Sequence, residues 1–184
     1  MSNKLLYNYF FILFSVIPLT ILLGPSASLL NILLIDLSFL VLIFYKKEYE
    51  FLKSKTIKLI LCLYLYLIFN SFISIDFYSG IFRNLGFLRI IVLFIAFNYF
   101  FYKTNFFNKI LIFWLFTIFL VGLDICFESY TGKNFFGYGG DLYGRRIVSF
   151  FKDEPIVGGY MNSFLLIIIG YLSFFFKKEY RWTI

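Results

Sequence analysis

Histidine is absent from this chain, cysteine occurs twice, and charged residues make up only 15% of it. Without histidine there is no imidazole metal ligand, no Ser-His-Asp triad and no histidine general base. The two cysteines, Cys62 and Cys126, both lie inside apolar runs and form no C-x-x-C pair, so they read as small buried apolar side chains. The shortage of charge comes with an excess of apolar surface: 61% of the 184 residues are hydrophobic and 25% aromatic, with 29 phenylalanines. A soluble domain carries roughly 45–50% apolar residues. A core of this size cannot hide so much apolar surface from water, so lipid is the expected solvent. The net charge of +7 then reads as basic cytoplasmic loops rather than a nucleic-acid surface, because no basic patch of readable geometry occurs.

Six apolar runs approach the length of about 20 residues needed to cross a bilayer: 5–23, 29–45, 57–75, 86–102, 110–127 and 155–176. The spacing predicts an all-α, polytopic membrane helix bundle forming one membrane domain over residues 1–184, with no internal repeat. A short turn over Gly24–Ser28 separates the first two runs. Lysine and arginine set the orientation. With the N-terminus inside, the inner segments carry Lys4, the group between Lys46 and Lys58, Lys103, Lys109, and the tail with Lys177, Lys178 and Arg181. The outer segments keep Arg83, Arg89, Lys133, Arg145, Arg146 and Lys152. The excess of basic residues on one side places both termini in the cytoplasm.

That orientation turns the longest polar segment, about Glu128 to Glu154, outward. Long loops tend to carry function. Lys152-Asp153-Glu154-Pro155 has the form of a helix start, with acids before a proline. Arg145 and Arg146 precede it. Guanidinium groups suit bidentate contact with phosphate oxygens, and free amides at a helix start favour anions. The pair therefore either holds a lipid-linked phosphate or diphosphate, or pairs with Asp141, Asp153 and Glu154 or with lipid headgroups. Arg89 either snorkels outward or adds a third guanidinium to that site. Asp124 and Glu128 fall one turn apart and share a face. They serve as supporting carboxylates, either as a base at the membrane surface or as partners for the arginines. The stretch GGDLYGRR approaches a phosphate-binding loop, but arginines stand where Lys and Ser/Thr are required and no strand precedes it. Asp36, in the middle of the second run, should face protein rather than lipid. It is either part of a proton or substrate path or makes a packing hydrogen bond to a neighbouring helix.

Two stretches, DICFESYTGKNFFGY at Asp124–Tyr138 and RIVSFFKDEPIVGGY at Arg146–Tyr160, together with paired opening helices split at Gly24-Pro25, resemble the N-terminal half of the O-antigen ligase / O-antigen polymerase family. The resemblance spans most of the chain. It implies a multi-pass protein of the bacterial inner membrane that works in surface-polysaccharide or lipopolysaccharide assembly. The implied reaction is a glycosyltransferase-type transfer of a glycan from an undecaprenyl diphosphate carrier on the periplasmic face, with no metal or other cofactor. The acceptor is lipid A core in ligases and a second carrier-linked glycan in polymerases. Arg146 matches the family's arginine before the small aromatic segment, which implies a phosphate-contacting role for it. Relatives continue with more membrane helices and a large periplasmic loop supplying further arginine and, in ligases, histidine. The implied partners are thus membrane lipid, the carrier-linked glycan and a second chain bearing the C-terminal half. The other reading of the residues is a non-catalytic small membrane protein or transporter fragment in which Asp36 does the work.

Overall fold

A computed structural model describes residues 3–103, 106–139, 146–151 and 156–179. All regular structure among them is helical: α1 (Asn3–Ser15), α2 (Ile17–Leu23), α3 (Pro25–Lys46), α4 (Lys55–Ile73), α5 (Phe77–Lys103), α6 (Phe106–Thr131) and α7 (Val157–Glu179), with 3-10 turns at Glu50–Lys53 and Ser149–Phe151. Four of these helices (α3, α4, α5 and α6) are long and apolar enough to cross a membrane, or five if the broken pair α1–α2 makes one span. The apolar part of α7, Val157–Ser173, is shorter.

Three boundaries differ from the pattern of apolar runs. The first run is two helices, not one. Pro18 sits at the first turn of α2, where its ring would clash with the carbonyl of Phe14 and it has no N–H to donate, so the helix restarts at Ile17. The turn between the first two runs shrinks to a single residue. Gly24 takes φ +118, a conformation open to glycine, and Pro25 opens α3 at once, so Ser26–Ser28 are helical. The helix of the fourth run, α5, starts at Phe77 rather than Gly86. Asp76 caps it, its Oδ1 accepting the Ser79 amide at 3.2 Å and its Oδ2 the Ser79 hydroxyl at 2.5 Å. These two bonds, the hydroxyl first, hold the Asp76 carboxyl below the usual carboxylate range. Arg83 consequently lies on a helix and not in a loop, on the same helix as Arg89.

The chain falls into two compact units. One comprises residues 1–14 and 28–107. Its core is a phenylalanine cluster in which Phe10, Phe14 and Phe97 surround Phe100 or touch one another, with ring centroids of Phe10 and Phe100 4.5 Å apart. Phe14 meets Phe97 and Phe100 edge-to-face, an arrangement that adds about 0.5–1.5 kcal/mol per pair beyond burial. Phe39, Phe51 and Tyr99 form a second group, and the Tyr99 hydroxyl donates to Glu48 at 2.5 Å. The antiparallel α4–α5 pair is pinned by Asn84. Its Nδ2 donates to the Leu67 carbonyl at 2.9 Å and the Ser71 hydroxyl at 2.6 Å, and Gly80 lets Ser71 approach.

The other unit comprises residues 15–27 and 108–184. Here the 3-10 turn at Ser149–Phe151 packs against both α2 and α7. Phe151, Tyr160, Phe164 and Trp114 meet in sequence, edge-on or tilted, at centroid separations of 5.3, 4.9 and 5.3 Å. The Tyr160 hydroxyl donates to the Pro18 carbonyl at 3.3 Å. Pro18 thus interrupts the first run and also anchors α7.

Candidate functional site: a loop clamped by two buried acids

In the second unit, α6 ends by projecting Asp124 and Glu128 from one face, as their spacing of four requires. Asp124 is fully buried and Glu128 is 4% exposed. Both are spent on the loop that follows. Glu128 Oε1 accepts the Val148 amide at 3.0 Å, and its Oε2 accepts the Ser149 amide at 2.7 Å. Asp124 Oδ1 accepts the Phe135 amide at 2.9 Å, and its Oδ2 accepts the Ser149 hydroxyl at 2.5 Å. All four carboxyl oxygens thus have the partners that burial demands.

Asn134 completes the enclosure from the other side. It is buried. Its Nδ2 donates to the Ser149 carbonyl at 2.5 Å, and its Oδ1 accepts the amides of Phe136 and Tyr138 at 3.0 and 2.7 Å. Ser149 is therefore tied at its amide, its hydroxyl and its carbonyl by three buried side chains. It needs to be: its φ is +50, a conformation that costs a non-glycine residue about 1–3 kcal/mol and persists only where the surroundings over-determine it. Gly139 is also required by the clamp. Its φ is +102, and a Cβ there would lie 2.8 Å from Glu128 Oε1.

Arg146 leaves this clamp two residues before Val148, and its side chain is exposed. Among the described residues it forms no ion pair with either acid, whose oxygens are occupied by amides and a hydroxyl. Asp124 and Glu128 are thus neither an open base nor salt-bridge partners of Arg146 in this arrangement; they hold the backbone that presents it. Arg145, Asp141, Lys152, Asp153, Glu154 and Pro155 lie outside the described residues. An apolar groove of about 520 Å³ opens in the same unit, lined by Leu19, Leu22 and Leu23 of α2, Thr117, Leu120 and Val121 of α6, and Phe136, Tyr138 and Phe150 of the loop.

The remaining candidates belong to the first unit. Arg89 is exposed on α5. Asp36 is 5% exposed on α3 and faces protein as expected, but neither of its oxygens has a hydrogen-bond partner among the described residues. The packing bond expected of it is not made there. Asn134, Ser149 and Gly139 carry the clamp and were not singled out by the sequence. Only Asn134 had a local signal, an Asn placed to bond amides two and four residues on, as in Asx-type turns.

Compared with protein-family models, curated proteins and solved structures, the chain matches none of them.

Proposed function

We propose that this chain is a membrane component of bacterial surface-polysaccharide assembly, similar to the O-antigen ligases and polymerases, that binds an undecaprenyl diphosphate-linked glycan at the outer face of the inner membrane. The observation that carries this reading is the second unit's loop. Two buried acids and Asn134 hold its backbone in a strained form, and the Arg146 side chain that it carries is exposed. A planar, permanently charged donor on a rigid support suits a diphosphate. The apolar groove in the same unit suits the hydrocarbon of a lipid-linked substrate. In this reading α7 and the α1–α2 pair also span the membrane. Six crossings put both termini in the cytoplasm and the Arg146 loop in the periplasm. Glycan transfer from the carrier to an acceptor hydroxyl, with release of the carrier diphosphate, uses groups supplied by a second, C-terminal half as well.

The test is binding of an undecaprenyl diphosphate analogue to the chain in nanodiscs at fixed salt. Losing one charge-assisted contact of about 1.5–3 kcal/mol weakens affinity roughly 10- to 150-fold. Arg146→Ala should show that loss, and Arg146→Lys should recover part of it, because an ammonium lacks the planar fork. Equal binding by wild type and Arg146→Ala overturns the assignment.

Asp36 supports a second reading. A buried carboxyl with neither oxygen hydrogen-bonded among the described residues, in a helix long enough to span a membrane, is the kind of group that marks an ion or proton path. A non-catalytic membrane protein or transporter fragment would lose its activity with Asp36→Asn and be indifferent to Arg146→Ala.

A further inference from the structure

The turn after α6 carries aromatic rings on a backbone that cannot withdraw them. Tyr130 is 91% exposed, Phe135 59%, Phe136 69% and Tyr138 39%. Beneath the rings, the Phe135 amide is held by Asp124 and the Phe136 and Tyr138 amides by Asn134. The Asn134 amide in turn donates to the Tyr138 carbonyl at 2.8 Å, and Gly137 donates to the Asn134 carbonyl at 2.9 Å. A flexible loop could fold its aromatics inward, whereas this one is locked with them outward. Three large rings on one short turn, with Tyr130 just before it in the last turn of α6, form the kind of exposed apolar patch that marks a partner.

The identity of that partner follows from where the turn starts. The candidate span Phe107–Thr131 ends at its first residues, so the patch sits where a crossing helix leaves hydrocarbon. Phe135 stacks on Phe127 of α6, with centroids 4.3 Å apart and planes within 12°, which continues the ring surface of the span into the turn. Tyrosine and related rings favour the headgroup layer, and an exposed Lys133 in the same turn suits its phosphates. We infer that residues 130–138 form a rigid aromatic anchor seated at the headgroup–acyl boundary of the bilayer. Because Asn134 also bonds the Ser149 carbonyl, the anchor sets the height of the Arg146 segment above the lipid. Phe136 and Tyr138 also line the apolar groove, but the anchor requires no ligand there or at Arg146, so it stands apart from the carrier reading.

The test is depth measurement. In a Cys62→Ala, Cys126→Ala background, nitroxides are attached to Tyr130→Cys, Phe135→Cys and Phe136→Cys, and the chain is reconstituted in phosphatidylcholine–phosphatidylglycerol vesicles. Collisions with oxygen, which partitions into lipid, should exceed collisions with a water-soluble nickel chelate at all three sites, with depths near the phosphate plane. A label replaces the ring it reports on, so Phe136→Trp is read in parallel: the added emission should be quenched by lipid brominated near the headgroup more than by lipid brominated near the chain end. Nickel collisions as frequent as in free solution would place the turn in water and overturn the inference. Low collision with both agents would place it under protein and overturn it equally.

Discussion

Asp124 and Glu128 in one unit, and Asp36 in the other, are all carboxylates buried in an apolar protein, yet their surroundings are opposite. The first two have every oxygen bonded, to three amides and one hydroxyl. Asp36 has none. A buried polar group that is fully bonded rigidifies and specifies structure, while one left unbonded costs free energy that packing must offset. The first arrangement is what a structural clamp needs. The second persists where something other than stability maintains it, such as a function or a conformation in which the group finds its partner. Burial alone does not separate the two roles; the bonds do.

The comparison can be broken by substitution. The largest effect belongs to Glu128→Ala, which leaves the Val148 and Ser149 amides buried and unpaired. Two bonds of roughly 1.5–3 kcal/mol sum to about 3–6 kcal/mol, enough to release the loop or to lower the yield of folded protein in detergent sharply. Next is Gly139→Ala, where a left-handed backbone and a Cβ against Glu128 act together; a loss of about 1–3 kcal/mol is expected, read as a drop in the midpoint of thermal unfolding. Ser149→Ala removes one hydroxyl from the clamp and should cost about 1–3 kcal/mol, since Asp124 Oδ2 is left without its donor. Asp36 should behave in the opposite sense. Asp36→Leu removes an unbonded polar group from an apolar site, so folded yield should match or exceed wild type. A loss as large as that of Glu128→Ala would show that Asp36 has a partner and would erase the contrast. The smallest effect is at Asp76, exposed at the start of α5. Its carboxyl sits below its ordinary value through bonds to Ser79. The stabilisation is therefore present above the ordinary aspartate value of about 3.9 and fades only as the pH falls below it. Asp76→Ala should fray the first turn of α5 at pH 7 and be without effect in strong acid, as read by amide exchange.

The helical class was legible because apolar runs of membrane length leave few alternatives. The break at Val16 was not, since hydropathy scores Pro18 as unremarkable and is blind to its missing N–H. The early start of α5 was hidden for the reverse reason. The stretch 77–85 carries Ser79, Gly80, Arg83 and Asn84, which read as loop, yet Asp76 caps it and Asn84 spends its amide on α4. At the candidate site, the shared face of Asp124 and Glu128 followed from a spacing of four. Their partner did not. Ser149 lies 25 residues from Asp124, and nothing local in RIVSFF marks a serine in the left-handed region. The arginines drew attention as charges, whereas the residues that fix the loop are mostly uncharged and buried.

Amide hydrogen exchange over residues 146–151, in nanodiscs, tests the clamp most directly. Wild type should protect Val148 and Ser149, Asp36→Leu should leave that protection intact, and Glu128→Ala should lose it, by about 100-fold or more in rate for a loss of roughly 3 kcal/mol. Equal, rapid exchange of these amides in wild type and Glu128→Ala would contradict the account.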